Sequence, residues 1–141
     1  MTRRPLYGGE MRLVRRRSKI AGHGVYAGEA FNKNKRIVQY EGQMISAREL
    51  DRREQKYQKK GLIWCFTVDR KRARDGNVGG NIARFINHSC KPNCYAEVVG
   101  DTIWIRAAKN ITRGQELTYD YNTGAEAGIP CECRKGCRNV L

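Results

Sequence analysis

Arg84-Phe85-Ile86-Asn87-His88-Ser89-Cys90-Lys91-Pro92-Asn93-Cys94 is the stretch on which the reading of this chain turns. It packs an apolar pair, an Asn-His dyad, a Ser-Cys corner and a Pro-Asn turn into one short run. No helix or strand period runs through it, and Pro92 would break either ladder by removing an N–H and fixing φ. Such a loop holds polar groups in fixed places. Taken alone it is equally well an ordinary polar turn closed by two core cysteines, and the flanking chain has to separate the two.

A length of 141 residues, 40% of them hydrophobic, suits one domain with a real core. No apolar run approaches the ~20 residues needed to span a bilayer, so no membrane partner is expected. Met1 to Leu6 is basic but lacks the apolar centre of a secretory signal, which points to an intracellular location. The 28 basic against 14 acidic residues give a net charge of +14. The excess lies in Arg12 to Lys19, Arg48 to Lys60, Arg70 to Arg74 and Arg134 to Arg138. A field of that sign favours non-specific contact with DNA, or with a partner already on it. Neither a basic-zipper pattern nor a two-Cys, two-His finger is present, so nothing here reads base sequence.

Residues 1–10 read as a lead-in. Met11 to Arg15 alternates as a strand, and Ile20 to Ala27 is a glycine-bracketed turn entering a second. Arg36 to Gly42 is a third. Ser46-Ala47-Arg48-Glu49 is a capping box, opening a charged surface helix that runs to about Lys59 and stops at Gly61. Ile63 to Asp69 is the next strand, and Asp75 to Asn81 a glycine-rich loop. Cys94 to Val99 and Thr102 to Ala107 form a hairpin across Gly100-Asp101, a pair suited to a type II′ turn. Lys109 to Gly114 turns into a last strand, Glu116 to Tyr121. The expected class is mainly β: several small sheets, one modest helix and a cysteine-bearing tail.

Cys131, Cys133 and Cys137 place three thiols in seven residues. Inside a cell such clusters are more often zinc ligands than disulfides, and tetrahedral zinc needs a fourth. Cys90 is the best candidate, with Cys94 as competitor; Cys65, mid-strand, is a core residue. Gly22-His23-Gly24 alone reads as a turn, since it lacks dinucleotide-binding spacing. Tyr119 and Tyr121, two apart on a strand, project to one face. They are either core aromatics or, because buried phenols need partners, part of a polar site.

In this order the pieces resemble one family. Gly22 to Tyr26, Tyr40-Glu41-Gly42, Gly80 to Cys94, Gly114 to Tyr121 and the terminal cysteines closely resemble the SET domain of protein-lysine methyltransferases with a post-SET zinc segment, nearest to the trithorax type. The resemblance implies a β-clip SET fold with a C-terminal pseudoknot and a zinc-bound tail. Its boundaries are 11–122 for the SET domain and 123–141 for the post-SET segment. It implies S-adenosylmethionine held by Ala21, Gly22, His23, Gly24, Trp64, Arg84, Asn87, His88 and Glu132, and structural zinc on Cys90, Cys131, Cys133 and Cys137. Tyr121 would orient a neutral lysine amine for in-line attack on the sulfonium methyl. Tyr119 would hold a water that crowds a methylated amine, giving mainly monomethylation.

Three departures accompany the resemblance. Trp64 stands where the family commonly has a tyrosine lining the lysine channel, and an indole N–H donates but cannot accept. The Cys-x-Cys-x3-Cys spacing is one residue short of the common form, and no cysteine precedes Cys65. The implied activity is protein-lysine N-methylation of a histone or another DNA-associated basic protein. That places it at chromatin in a eukaryote, or in cytoplasm and nucleoid in a prokaryote, with room for an activating protein partner that orders the helix from Ser46. The rival is a catalytically weak SET-like module that binds chromatin or nucleic acid; a zinc-dependent DNA reader ranks last, for want of a recognition helix.

Overall fold

Thr102-Ile103-Trp104-Ile105-Arg106-Ala107 alternates strictly, and it forms the central strand of one sheet in a computed structural model that describes residues 12–122 and 128–141. Its inward residues Ile103, Ile105 and Ala107 are completely buried. The strands are, in chain order, β1 (Leu13–Arg17), β2 (His23–Ala27), β3 (Arg36–Gln39), β4 (Gln43–Ser46), β5 (Cys65–Thr67), β6 (Arg72–Asp75), β7 (Asn87–His88), β8 (Cys94–Val99), β9 (Thr102–Ala107) and β10 (Thr118–Tyr119). They form four small sheets: β1-β2, β3-β9-β8, β4-β6-β5, and the parallel pair β10-β7. One helix, α1 (Ala47–Lys59), follows β4. The hairpin β8-β9 turns at Gly100 with φ of +59°, while Asp101 keeps a negative φ, which fits the type II′ pattern. Val25, Phe31, Ile86, Ile103, Ile105, Ile111 and Leu117 belong to one continuous core beneath the sheets.

The mainly β class, with several small sheets and one helix, is what the sequence leads one to expect; its element boundaries need correction. β1 is Leu13–Arg17, and Met11 lies outside the described residues. The third, fourth and last expected strands shrink to β3, β5 and β10. The Arg84 to Cys94 stretch is not free of secondary structure. A 3-10 helix, Ile82–Phe85, enters it, and Asn87-His88 pairs in parallel with Thr118-Tyr119. β4 and β6 were not foreseen. Arg72-Ala73-Arg74 falls in a basic run and Asp75 opens the expected loop, yet Ala73 and Asp75 are fully buried and the strand sits between β4 and β5.

The N-cap is half of the expected box. Ser46 Oγ accepts the Glu49 N–H at 3.2 Å, but the Glu49 carboxylate turns to Arg52 and Arg53 instead of back to the cap. No residue of α1 is buried, so the helix is held by a polar anchor. Asp75, with no exposure, accepts from Arg53 Nη1 at 2.9 Å and from the Tyr57 hydroxyl at 2.6 Å. The Asn77 N–H donates to its other oxygen at 2.8 Å. Gly61, at φ of +71°, lets the chain leave the helix by a left-handed turn. Among the described residues no helix is long and apolar enough to cross a membrane.

Asp75→Ala strands a half-buried guanidinium and a phenol. It is expected to cost about 3–5 kcal/mol in denaturant unfolding. A loss below about 1 kcal/mol would mean that α1 is held by something else.

Candidate active site

Two clefts meet in this molecule. The first, about 580 Å³, runs from the Ile20 to His23 turn across Trp64, Arg84, Asn87 and His88 to the tail residues Ile129 to Glu132 and Leu141. Its volume lies within the range of small-molecule sites. It is polar at the Ala21 end and apolar where Ile129, Pro130 and Leu141 close it. Eight of the nine residues expected to hold a cofactor line this cleft: Ala21, Gly22, His23, Trp64, Arg84, Asn87, His88 and Glu132.

Gly24 does not line it; it is buried on β2 beside Glu116. A Cβ there would come within 2.2 Å of Glu116 Oε2, so any larger residue would push that carboxylate aside. Gly22 turns the chain at φ of +46°. Asn87 Nδ2 holds the turn by donating to the carbonyls of Ala21 and His23, each at 3.1 Å. Arg84 stacks over Phe85 at 4.6 Å and Trp64 at 5.4 Å, forming one wall.

The second cleft, about 660 Å³, lies on the far side of Tyr121 and is bounded by α1, β5 and β8. Leu50, Asp51, Glu54 and Gln58 face it from the helix, and Tyr40, Phe66, Tyr119 and Asp120 from the other walls. Its lining includes three acidic residues and no lysine or arginine. In a chain of net charge +14 that is a local inversion of sign. Tyr121 and Ile63 line both clefts.

An aromatic ladder joins the clefts. Tyr40 packs on Phe66 at 5.4 Å, Phe66 on Tyr119 at 5.9 Å, Tyr119 on Tyr121 at 5.0 Å and Tyr121 on His88 at 5.3 Å. Tyr119 and Tyr121 thus share a face, as their spacing requires. The Tyr121 hydroxyl donates to the Ile86 carbonyl at 2.6 Å, and the Tyr40 hydroxyl to that of Trp64 at 2.5 Å. Burial raises the pKa of all three phenols, so they stay protonated at neutral pH. The Tyr119 hydroxyl makes no protein hydrogen bond among the described residues and faces the second cleft.

The four expected metal ligands come together. The sulfurs of Cys90, Cys131, Cys133 and Cys137 lie within 4.8 Å of one another. Cys90 Sγ is 3.7 Å from Cys131 and 3.9 Å from Cys137. Tetrahedral zinc with Zn–S bonds of about 2.3 Å puts sulfurs ~3.8 Å apart, so the cluster fits that ion. Burial, reinforced by the neighbouring thiols, pushes the Cys131 thiol up to about 12, which a bound cation would reverse. The competitor Cys94 is buried in the core on β8, and Cys65 lines the second cleft instead of lying in the core.

His88 links the cluster to the tyrosine. Its Nδ1 accepts the Tyr121 N–H at 3.0 Å, so in the neutral ring Nε2 carries the proton and faces Cys90 Sγ at 3.5 Å. Burial lowers the pKa of this imidazole, with Asp120 opposing, which favours that neutral form. Asp120 Oδ1, at 3.6 Å from Nδ1, is beyond hydrogen-bond length.

One further placement differs from expectation, and several residues went unforeseen. Trp64 does not line the cleft that holds Tyr119; it lies in the wall of the first, edge-on to Phe85 at 6.2 Å. Of its neighbours, Cys65 lines the second cleft and Ile63 reaches both. Tyr40, conspicuous in sequence as Tyr-Glu-Gly, was given no role, and it lines that cleft. The acidic positions on α1 were read as a solvated face. Glu116 had no sequence signal beyond its place at the start of the last expected strand.

The sequence model of the SET domain matches residues 22–122. The chain is 40% identical over 132 residues to histone-lysine N-methyltransferase trithorax of Drosophila virilis, covering 89% of this chain and 3% of that protein. It is 41% identical over 132 residues to a histone-lysine N-methyltransferase of Schizosaccharomyces pombe described as H3 lysine-4 specific, covering 88% of this chain and 14% of the relative. Over 133 residues it is 41% identical to histone-lysine N-methyltransferase set-2 of Caenorhabditis elegans, covering 89% and 9%. The chain therefore spans a small part of the length of these relatives.

Purified protein is expected to carry one zinc per chain by elemental analysis. Cys90→Ser should surrender it to a chelator that leaves wild type loaded, whereas Cys94→Ala should keep it. Equal retention by wild type and Cys90→Ser would remove Cys90 from the ligand set.

Proposed function

The chain belongs to the SET-domain family, and from that premise we propose that it is an S-adenosylmethionine-dependent protein-lysine N-methyltransferase acting on a histone or another DNA-associated basic protein, with monomethylation as its main product. The observation that carries the reading is the meeting of two clefts at Tyr121, one fitted to a small molecule and one to a cationic side chain. Residues 11–122 would form the catalytic domain, and 123–141 a tail whose four-thiolate cluster leaves no open coordination position, hence a structural metal. Ala21, Gly22, His23, Trp64, Arg84, Asn87, His88 and Glu132 would hold the cofactor, which supplies a methyl group activated on a sulfonium.

The protein's part is to present the amine. Free lysine titrates near 10.4, so about one in a thousand is neutral at pH 7.4. The aromatic walls from Tyr40 to Tyr121 desolvate an entering ammonium and lower that pKa. Asp51, Glu54 and Asp120 at the mouth attract the charged side chain, which must shed its proton to advance. The Tyr121 O–H is spent on Ile86, so its oxygen is left to accept from the amine. A buried, protonated phenol is no general base, and its contribution is orientation. The Tyr119 hydroxyl, without a hydrogen-bond partner among the described residues, suits a bound water that would crowd a methylated amine. Trp64, as a departure from the family's channel tyrosine, would favour a weak binding module; it lines the first cleft and not the second, which removes that ground.

The local sign also refines the substrate expectation. A net charge of +14 repels a free basic peptide at a distance, while the groove itself attracts it. DNA contact through the outer basic face would bring enzyme and target together at chromatin, in the nucleus of a eukaryote or the nucleoid of a prokaryote. A partner protein that fixes α1 would shape the groove further.

Radiolabelled methyl transfer to core histones and reconstituted nucleosomes tests the activity. Tyr121→Phe is expected to lower it ~100-fold with cofactor still bound; equal activity would contradict the role of Tyr121, and no transfer by wild type the function. By mass spectrometry, Tyr119→Phe should shift the product from mono- to di- and trimethyllysine, and unchanged multiplicity would refute its assignment. Histone on DNA should be methylated faster than free histone at low salt, the difference closing as salt rises. Equal rates throughout would remove DNA from the account.

A further inference from the structure

Beside the first cleft lies a third, about 460 Å³, between β1 and the loop that leads into the 3-10 helix. Arg15 lines it from the strand, Gly79, Gly80 and Asn81 from the loop, and Arg84 and Phe85 from the helix. Both guanidiniums lie over the Phe85 ring, Arg15 at 4.4 Å and Arg84 at 4.6 Å. No acidic residue lines this cleft. Among the described residues Arg12, Arg36, Arg52, Arg53, Arg72 and Arg106 find a carboxylate, whereas Arg15 and Arg84 have no ion pair. Two cations gathered on one ring without a counter-ion repel each other, and an anion bound beside both removes that cost.

The loop adds donors of a second kind. Gly79 turns at φ of +68°, and neither its N–H nor that of Gly80 donates to a protein acceptor among the described residues. The loop is fixed from both sides: the Gln43 N–H donates to the Val78 carbonyl at 2.8 Å, and a Cβ at Gly80 would come within 2.0 Å of the Gly76 oxygen. Bare N–H groups beside guanidiniums are a donor set that phosphate oxygens take up, and one arginine fork can meet two of those oxygens. Arg17 shares a face of β1 with Arg15, so positive charge continues along the strand beyond the cleft. That run favours a chain of phosphates over a single one.

We propose that this third cleft is a phosphate subsite, in which Arg15, Arg84 and the Gly79-Gly80 backbone hold one phosphate of a nucleic-acid strand. In taking nucleic acid as the ligand it rests on the DNA contact put forward above; the donor set itself asks only for a phosphate. The cleft shares Arg84 and Phe85 with the first cleft and no residue with the acidic second one. A nucleic-acid strand and a basic peptide therefore have separate places on the molecule. Arg15 lines neither of the other two clefts, so its removal reports on the phosphate alone.

Fluorescence anisotropy of a short labelled DNA duplex of mixed sequence, titrated with the zinc-loaded chain across a salt series, tests this. Arg15→Gln should weaken duplex binding ~5-fold and lower the slope of log affinity against log salt by about 0.9, the value of one lost phosphate contact. Arg113→Gln removes the same charge from an exposed turn outside the cleft and should keep the wild-type slope. Arg15→Lys keeps the charge without the planar fork and should fall between wild type and Arg15→Gln; it also serves should the glutamine variant fold poorly. Thermal midpoints equal to wild type certify the fold of each. Inorganic phosphate, titrated by calorimetry, separates the two sources of the anion. Phosphate binding lost in Arg15→Gln with duplex binding unchanged would make this a site for a free phosphate and overturn the nucleic-acid ligand. Equal effects of Arg15→Gln and Arg113→Gln on both ligands would overturn the subsite. A wild type that binds no duplex would overturn it as well, while methyl transfer to free histone judges the enzyme reading separately.

Discussion

The Tyr121 N–H donates to His88 Nδ1, and much of the site depends on that one bond. It accompanies the short parallel pairing of Asn87-His88 with Thr118-Tyr119, which brings two segments distant in sequence side by side. With Nδ1 committed, the proton sits on Nε2 and faces Cys90. One buried imidazole thus ties the tyrosine at the junction of the clefts to the thiol cluster that secures the tail. The tail in turn supplies the apolar end of the first cleft. Tyrosine, first cleft and thiol cluster are one connected object.

Charge is partitioned in a way that composition hides. The outer surface is strongly basic, and the second cleft is lined by acids from α1 and from Asp120. The helix that carries Asp51 and Glu54 buries no side chain and hangs on the Asp75 anchor. A polar anchor holds one edge of a binding groove without the apolar stripe that would fix a helix more firmly. Adjustability at that edge suits the proposed reception of an extended basic peptide.

Sequence made the chemistry legible sooner than the fold. Cysteine spacing revealed the thiol cluster, and the two-residue step from Tyr119 to Tyr121 revealed their common face, because ligand sets and strand parity leave local traces. β6 was invisible, since Arg72 and Arg74 mask the two inward residues, and the buried one of charge, Asp75, is satisfied by α1 residues far away in sequence. β7 and β10 are two residues each, too short for any period. Trp64 was misplaced because a one-residue step moves a side chain to the opposite wall. Glu116 was missed because its partners Ser18, Tyr26 and Asn87 lie 29 to 98 positions away.

The central claim is that the metal-pinned tail completes the cofactor cleft through the Cys90-His88-Tyr121 connection. Its most direct test is S-adenosylhomocysteine affinity measured on zinc-loaded chain, after chelation, and after zinc is restored. The account expects at least a tenfold loss on removal and full recovery on return. An affinity indifferent to zinc would mean that the tail and its thiols stand apart from the site.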